Sequence, residues 1–293
     1  MNPYSKNRAP ILIFFTLISL VGLLIIAIII VAKYLYQFTW TGFAAKTLWD
    51  WMELLIIPIV LAIGATLFSI AQRQNEQALA NQQSQEVILE SYLEKMSELL
   101  FERSLSESDT DSHVREVARI WTLTTLRRLD ENRKGIALQF LQEAKLIKCS
   151  GPGPVIDMNG ADLNGANLVK AQLFDAALAG VNLMGANLTG ADFIKADLGG
   201  ANLSKANLRE AHMFDTNLNS ANLQNAILRN AYLAEADLSK ANLDRADFRE
   251  ANLVRAAISP EQLVRIKSLQ GAVMPDGKKY NKNLKGLSAS GKQ

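Results

Sequence analysis

At 293 residues the chain can hold one or two domains, and its 31 Lys and Arg against 29 Asp and Glu leave a net charge of only +2. No long segment is basic enough to serve as a nucleic-acid surface, which needs clustered Lys and Arg, so nucleic acid is excluded as an expected partner. Cys149 is the only cysteine, which rules out an intramolecular disulfide and fits a reducing compartment.

The amino-terminal part, residues 1–71, reads as a membrane hairpin. Ala9 to Ala32 carries no charge and is almost wholly Leu, Ile, Val and Phe from Ile11 to Val31. That is about the 20 residues a helix needs to span a bilayer, and longer than the roughly 7–15 of a signal-peptide core. Leu54 to Ala71 is a second candidate, with Pro58 near its start. Between them Tyr34, Tyr36, Trp40, Trp49 and Trp51 suit the headgroup level. Lys6, Arg8 and Arg73 on one side slightly outnumber Lys33 and Lys46 in the loop, which predicts both termini in the cytoplasm of a bacterial inner or internal membrane. The loop supplies no carbonyl filter and the spans no ionisable side chain, which argues against an ion channel.

Residues 72–150 predict a helical stalk and a small bundle. The segment 72–103 has no Pro or Gly, and six glutamines lie between Gln72 and Glu86, so the preceding helix is expected to continue outward. Glutamates 86, 90, 94, 98 and 102 stack on one face, a mildly unfavourable arrangement by itself. After a polar break, Val114, Val117, Ala118, Trp121 and Thr125 recur at helical spacing, and Asp130 is placed to cap a third helix. Arg115, Arg119, Arg127, Arg128, Arg133 and Lys134 make these helices basic, so they are expected to fold back on the glutamate stripe, with apolar residues supplying the stability. Gly151-Pro152-Gly153-Pro154 marks the boundary.

From Ile156 to Pro260 the sequence repeats strictly every five residues, for twenty-one units without an insertion. The central residue is Leu in sixteen units, Phe at 193 and 248, Met at 158 and 213, and Ile at 258. Two residues earlier stands Ala in eighteen; Ile156, Val181 and Thr216 are the exceptions. A helix would scatter this pattern around its axis, since five residues advance about 500°. A flat strand would swap faces at every repeat. Keeping every Ala–Leu pair inward requires one turn per unit, hence a solenoid, and the Asn or Asp between them suits the turns.

The units ADLNG, ANLVK and AQLFD, and their successors, resemble the pentapeptide-repeat family pattern A(D/N)LXX. The resemblance implies a right-handed quadrilateral β-helix with four units per coil, so about five coils. The hairpin, stalk and RRLD…LQFLQEA helices also resemble an architecture of cyanobacterial members. The expected fold class is therefore mainly β: a pentapeptide-repeat β-solenoid (151–270), preceded by two transmembrane helices and a small α-helical stalk or bundle. Ser259-Pro260-Glu261-Gln262 starts a helix to about Leu269 that covers the open end. Residues 271–293 would form a final edge segment and a flexible basic tail with Lys278, Lys279, Lys282, Lys285 and Lys292.

With two histidines, one cysteine and no phosphate loop, no catalytic, metal-binding or cofactor-binding constellation is expected, and no enzymatic activity. Stacking coils at the family's twenty residues puts Phe174, Ile194, Phe214, Ala234 and Val254 in one outward apolar column. Beside it run Gln172, Asp192, His212, Tyr232 and Asn252. An apolar strip with adjacent polar groups predicts an interaction site at Phe174, Ile194, Phe214, Val254, His212 and Tyr232. Its occupant would be an unknown protein partner, a homo-oligomer, or the chain's own helices. The expected function is a membrane-tethered scaffold. The alternatives are a regulator of membrane transport or envelope assembly and, disfavoured by twelve acidic against nine basic residues in 151–260, a DNA-mimic topoisomerase inhibitor.

Overall fold

The computed structural model describes residues 48–102, 105–109, 112–151 and 153–280. The chain divides into two compact units, Met1–Ala78 and Leu79–Gln293. The helices are α1 (Leu48–Phe101), α2 (His113–Arg128), α3 (Glu131–Glu143) and α4 (Pro260–Arg265).

Two membrane-spanning helices are not found: among the described residues, no helix is long and apolar enough to cross a membrane. The first candidate, Ala9–Ala32, and most of the aromatic loop lie outside the described residues. The second, Leu54–Ala71, does not stand as a helix of its own. It is absorbed into the 54-residue α1, with Pro58 inside it. The good helix formers after Ala71 give no stop signal, so the apolar run continues directly into the glutamine-rich segment.

Within the second unit, α1 packs its Leu89, Tyr92, Met96 and Leu99 into a core shared with Ala118 and Leu126 of α2 and Ala137, Leu138 and Leu141 of α3. The Tyr92 hydroxyl meets the Thr122 hydroxyl at 3.0 Å, and Thr122 donates to the Ala118 carbonyl. Burial pushes the Tyr92 phenol well above its ordinary range. Asp130 caps α3 as expected, accepting from the Asn132 and Arg133 backbone N–H groups. The glutamate stripe is met by the basic helices at one point, where Arg133 pairs with Glu86 at 2.6 Å while also holding Asp130. Apolar burial, not charge, holds the bundle.

The five-residue period builds a four-sided solenoid. Parallel bridges join residues twenty apart, from Asp162↔Asn182 through to Asp237↔Ala257. Each coil is tied to the next by backbone bonds such as Leu203 N–H to the Asn222 carbonyl at 2.8 Å and Asn222 N–H to the Ala201 carbonyl at 2.9 Å. The Ala and central positions of the array are buried almost without exception. Thr216, an exception to the Ala rule, is buried too, and its hydroxyl donates to the Phe193 carbonyl at 2.7 Å. Each corner places the last residue of the unit at positive φ, for instance Lys205 at 60° and Gly200 at 65°.

Both solenoid ends are closed by the chain itself. At the entry end, Asn167 N–H donates to the Glu131 carbonyl, Lys134 Nζ to the Asn164 carbonyl, and Arg119 to the Asp157 and Asn159 carbonyls. Gly135 is obligatory there, because a Cβ would fall 2.3 Å from the Asn167 carbonyl oxygen. At the exit end Ser259 and Gln262 form a capping box. The Gln262 amide then donates to the Leu238 and Ala241 carbonyls at 2.7 and 2.8 Å. This helix ends at Arg265, short of the expected Leu269, because the chain resumes the ladder at Ser268↔Asp247 and Val273↔Asn252. Ile266, Leu269 and Ala272 point inward there.

Candidate functional site

The twenty-residue coil brings all six expected site residues onto one face. The bridges Gln172↔Asp192, Asp192↔His212, His212↔Tyr232 and Tyr232↔Asn252 run in register along it. Side chains alternate in and out on a strand, so the residue two places later in each unit points outward as well. Phe174, Phe214 and Tyr232 are 43%, 39% and 54% exposed, which is high for large apolar side chains. Ile194, Ala234 and Val254 are half-buried between them. The rings of His212 and Tyr232 sit 5.4 Å apart, edge to face. A polar corner groove lined by Lys170, Asp192, Glu210, His212 and Tyr232 runs beside the strip.

Within the second unit, among the described residues, the hydrogen bonds that tie the helices to the solenoid lie at its two ends. α3 meets this face at the first residue, where the Gln142 amide donates to the Phe174 carbonyl. Among the described residues of this unit, helix contact therefore accounts for one end of the strip.

A neighbouring corner column escaped the sequence reading: Asp175, Lys195, Asp215, Glu235 and Arg255, the last residue of each unit on this face. The same twenty-residue spacing would have revealed it. Asp175 accepts from the Ser150 backbone and hydroxyl, and Arg255 pairs with Glu235 at 3.1 Å. Lys195 and Asp215 make no ion pair among the described residues.

Asp192 accepts from the Ile194 N–H, a local turn bond, and is stacked below His212 without a nucleophile between them. Among the described residues no cluster of His, Cys, Asp and Glu could hold a metal ion. Cys149 is half-buried, and that burial raises its thiol, which weakens it as a nucleophile. The chemistry on offer at this face is apolar contact flanked by hydrogen bonds and charges.

The comparisons agree with the repeat. Pentapeptide repeats match in eight copies over residues 156–190, 171–210, 191–230 and 226–259. A pentapeptide repeat protein from the Arabidopsis thaliana thylakoid lumen is 34% identical, over 37% of this chain and 72% of its own, with a TM-score of 0.32. Rfr23 of the cyanobacterium Cyanothece 51142 is 33% identical over 34% of this chain and 63% of its own, with a TM-score of 0.30. HetL of Nostoc sp. PCC 7120, involved in heterocyst differentiation regulation, is 36% identical over 42% and 65%, with a TM-score of 0.24. No curated protein matches the chain. The twenty-one in-register units, the four-sided coil they build and these matches make the chain a member of the pentapeptide-repeat family.

Proposed function

We propose that this protein is a non-catalytic interaction module that binds a protein through the apolar face of its solenoid. The observation that carries this reading is the continuous column from Phe174 to Val254, whose Phe174 and Phe214 are exposed while, among the described residues, the helices bond to the solenoid at its two ends. A solenoid tied coil to coil by backbone bonds is rigid, so an interaction face costs little ordering entropy on binding. Exposed apolar side chains flanked by polar groups match the make-up of recognition surfaces. The reading as a DNA mimic has little support, because twelve acidic residues against nine basic ones give a weak negative field.

The test is photo-crosslinking in cells, with a photoreactive residue replacing Val254, in the otherwise native chain and in Phe174→Glu/Phe214→Glu. A discrete cross-linked species, lost in the double variant while its circular dichroism and melting stay native, supports the reading. An identical pattern in both proteins would refute it.

A further inference from the structure

We propose that the partner of this face is a second copy of the chain, packed face to face and antiparallel about a twofold axis between the Ile194 and Phe214 coils. The inference rests on reading the strip as a binding surface and adds what occupies it.

Two identical ladders packed face to face with the twofold axis along their strands oppose each column to itself in reverse order. With the axis between these two coils, Ile194 meets Phe214 of the second copy, twice by symmetry. Phe174 meets Ala234 in the same way, a large side chain against a small one. Lys195 then faces Asp215 of the second copy, again twice, and among the described residues neither makes an ion pair inside one chain, whereas Glu235 and Arg255 of the same column pair with each other and Asp175 is held by Ser150. In the column beside the strip, the imidazole N–H of His212 is opposite the Asp192 carboxylate, which has one oxygen beyond its bond to Ile194 N–H. The outermost corner pair sets Asp175 against Glu235, and each is satisfied within its own chain, by Ser150 and by Arg255.

Other registers do worse. An axis through the Phe214 coil also offers Lys195 to Glu235 and Asp175 to Arg255, but those partners are already engaged within one chain, by the Glu235–Arg255 pair and by Ser150, and it opposes Asp215 to itself and His212 to itself. One through the Ile194 coil opposes Lys195 to itself and Asp175 to Asp215. An axis between the Phe214 and Ala234 coils sets Asp215 against Glu235 and Lys195 against Arg255. Registers centred nearer either end leave only two or three coils in contact. A parallel pairing sets each coil against the same coil of the second copy, so Lys195 and Asp215 no longer face one another.

Size sets the strength. Coils stack about 4.8 Å apart, so four of them span about 20 Å. One copy thus contributes less than the roughly 800 Å² of a standard interface, which makes this a weak, reversible dimer.

The test uses the purified full chain in sedimentation velocity over a concentration series to about 0.5 mM, where weak dimers register. Lys195→Glu and Asp215→Lys each create two like-charge contacts, and each is expected to weaken dimerisation about tenfold. Mixing the two variants restores it, because Glu at 195 in one copy then faces Lys at 215 in the other while the second pair keeps its native charges. Both substitutions are at exposed corners, and native circular dichroism is required of each. A monomer at every concentration, single variants without effect, or a mixture that stays dissociated would each overturn the proposal. If the chain is monomeric and Phe174→Glu/Phe214→Glu still abolishes a cross-link to a different protein, the binding face stands and the self-pairing falls.

Discussion

Leu203 lies at the centre of the solenoid, and truncating it tests the inward assignment on which the fold rests. Its side chain has no exposed surface, nor have Leu183 and Leu223, which occupy the same position one coil before and after. Leu203→Ala removes three carbon atoms from this stack. Leucine-to-alanine changes in cores cost about 2.7–5 kcal/mol, and the cost grows when the cavity cannot collapse. Collapse is obstructed here, because Leu203 N–H is held to the Asn222 carbonyl at 2.8 Å and Asn202 N–H to the Val181 carbonyl at 2.9 Å. The coil spacing is set by backbone bonds, so neighbouring coils cannot close in, and the upper half of that range is expected. The assay is urea unfolding followed by circular dichroism, with Lys205→Ala as the control. Lys205 is exposed two residues further on, and its change should stay within about 0.5 kcal/mol. A Leu203→Ala cost below about 1 kcal/mol, no larger than a typical surface change, would refute the inward assignment and the stiffness of the coil stack.

Three further outcomes are expected. Gly200→Val should destabilise by about 1–2 kcal/mol through backbone strain alone, since φ is +65° and no atom lies within 4 Å of an added Cβ; urea unfolding reads it. Gln262→Ala leaves the Ala241 carbonyl without its side-chain donor and should cost about 1–3 kcal/mol, with faster amide exchange at Arg245, whose N–H bonds to the Arg265 carbonyl. For Asp130, burial alone would raise the carboxyl, but the backbone and guanidinium bonds from Arg133 outweigh it and the group titrates below its ordinary value. A depressed carboxylate contributes stability that is present above its unfolded value of about 3.9 and lost as pH falls through the folded one. Asp130→Asn keeps a good cap and should flatten that part of the acid unfolding curve. An acid limb identical to that of the native chain contradicts this account.

Different physics governed what could be read from residues alone. The solenoid was legible because a strict five-residue period admits one way of keeping every Ala and Leu inward. The two caps Asp130 and Ser259 were legible because capping is a local hydrogen-bond pattern. Of the two expected membrane spans the first lies outside the described residues, and the second was misread because hydropathy marks an apolar stretch without marking where a helix begins or ends. In α1 that stretch is only the front of a longer helix. The glutamate stripe invited a matching set of arginines, yet Arg119 is used at Asp157 and Arg115 at Ser108, since long side chains bond whatever packing brings near. The short exit helix was overestimated because Ile266 and Leu269 suit either a helix or an inward ladder position, and the open coil above Asp247 decided for the ladder.

The site divides in the same way. Once the coil length is twenty residues, the column Phe174, Ile194, Phe214, Val254 and its companions His212 and Tyr232 follow by counting, because alternation along a strand is fixed by backbone geometry. Sequence alone thus determined the repeat, its inward residues and the make-up of each outward column. Where the helices of the described residues meet the solenoid was decided only in three dimensions. Hydrogen bonds over more than twenty residues of separation, Gln142 to Phe174 and Gln262 to Leu238, place these helices at the ends. Such contacts depend on where whole elements come to rest, and no local period encodes that.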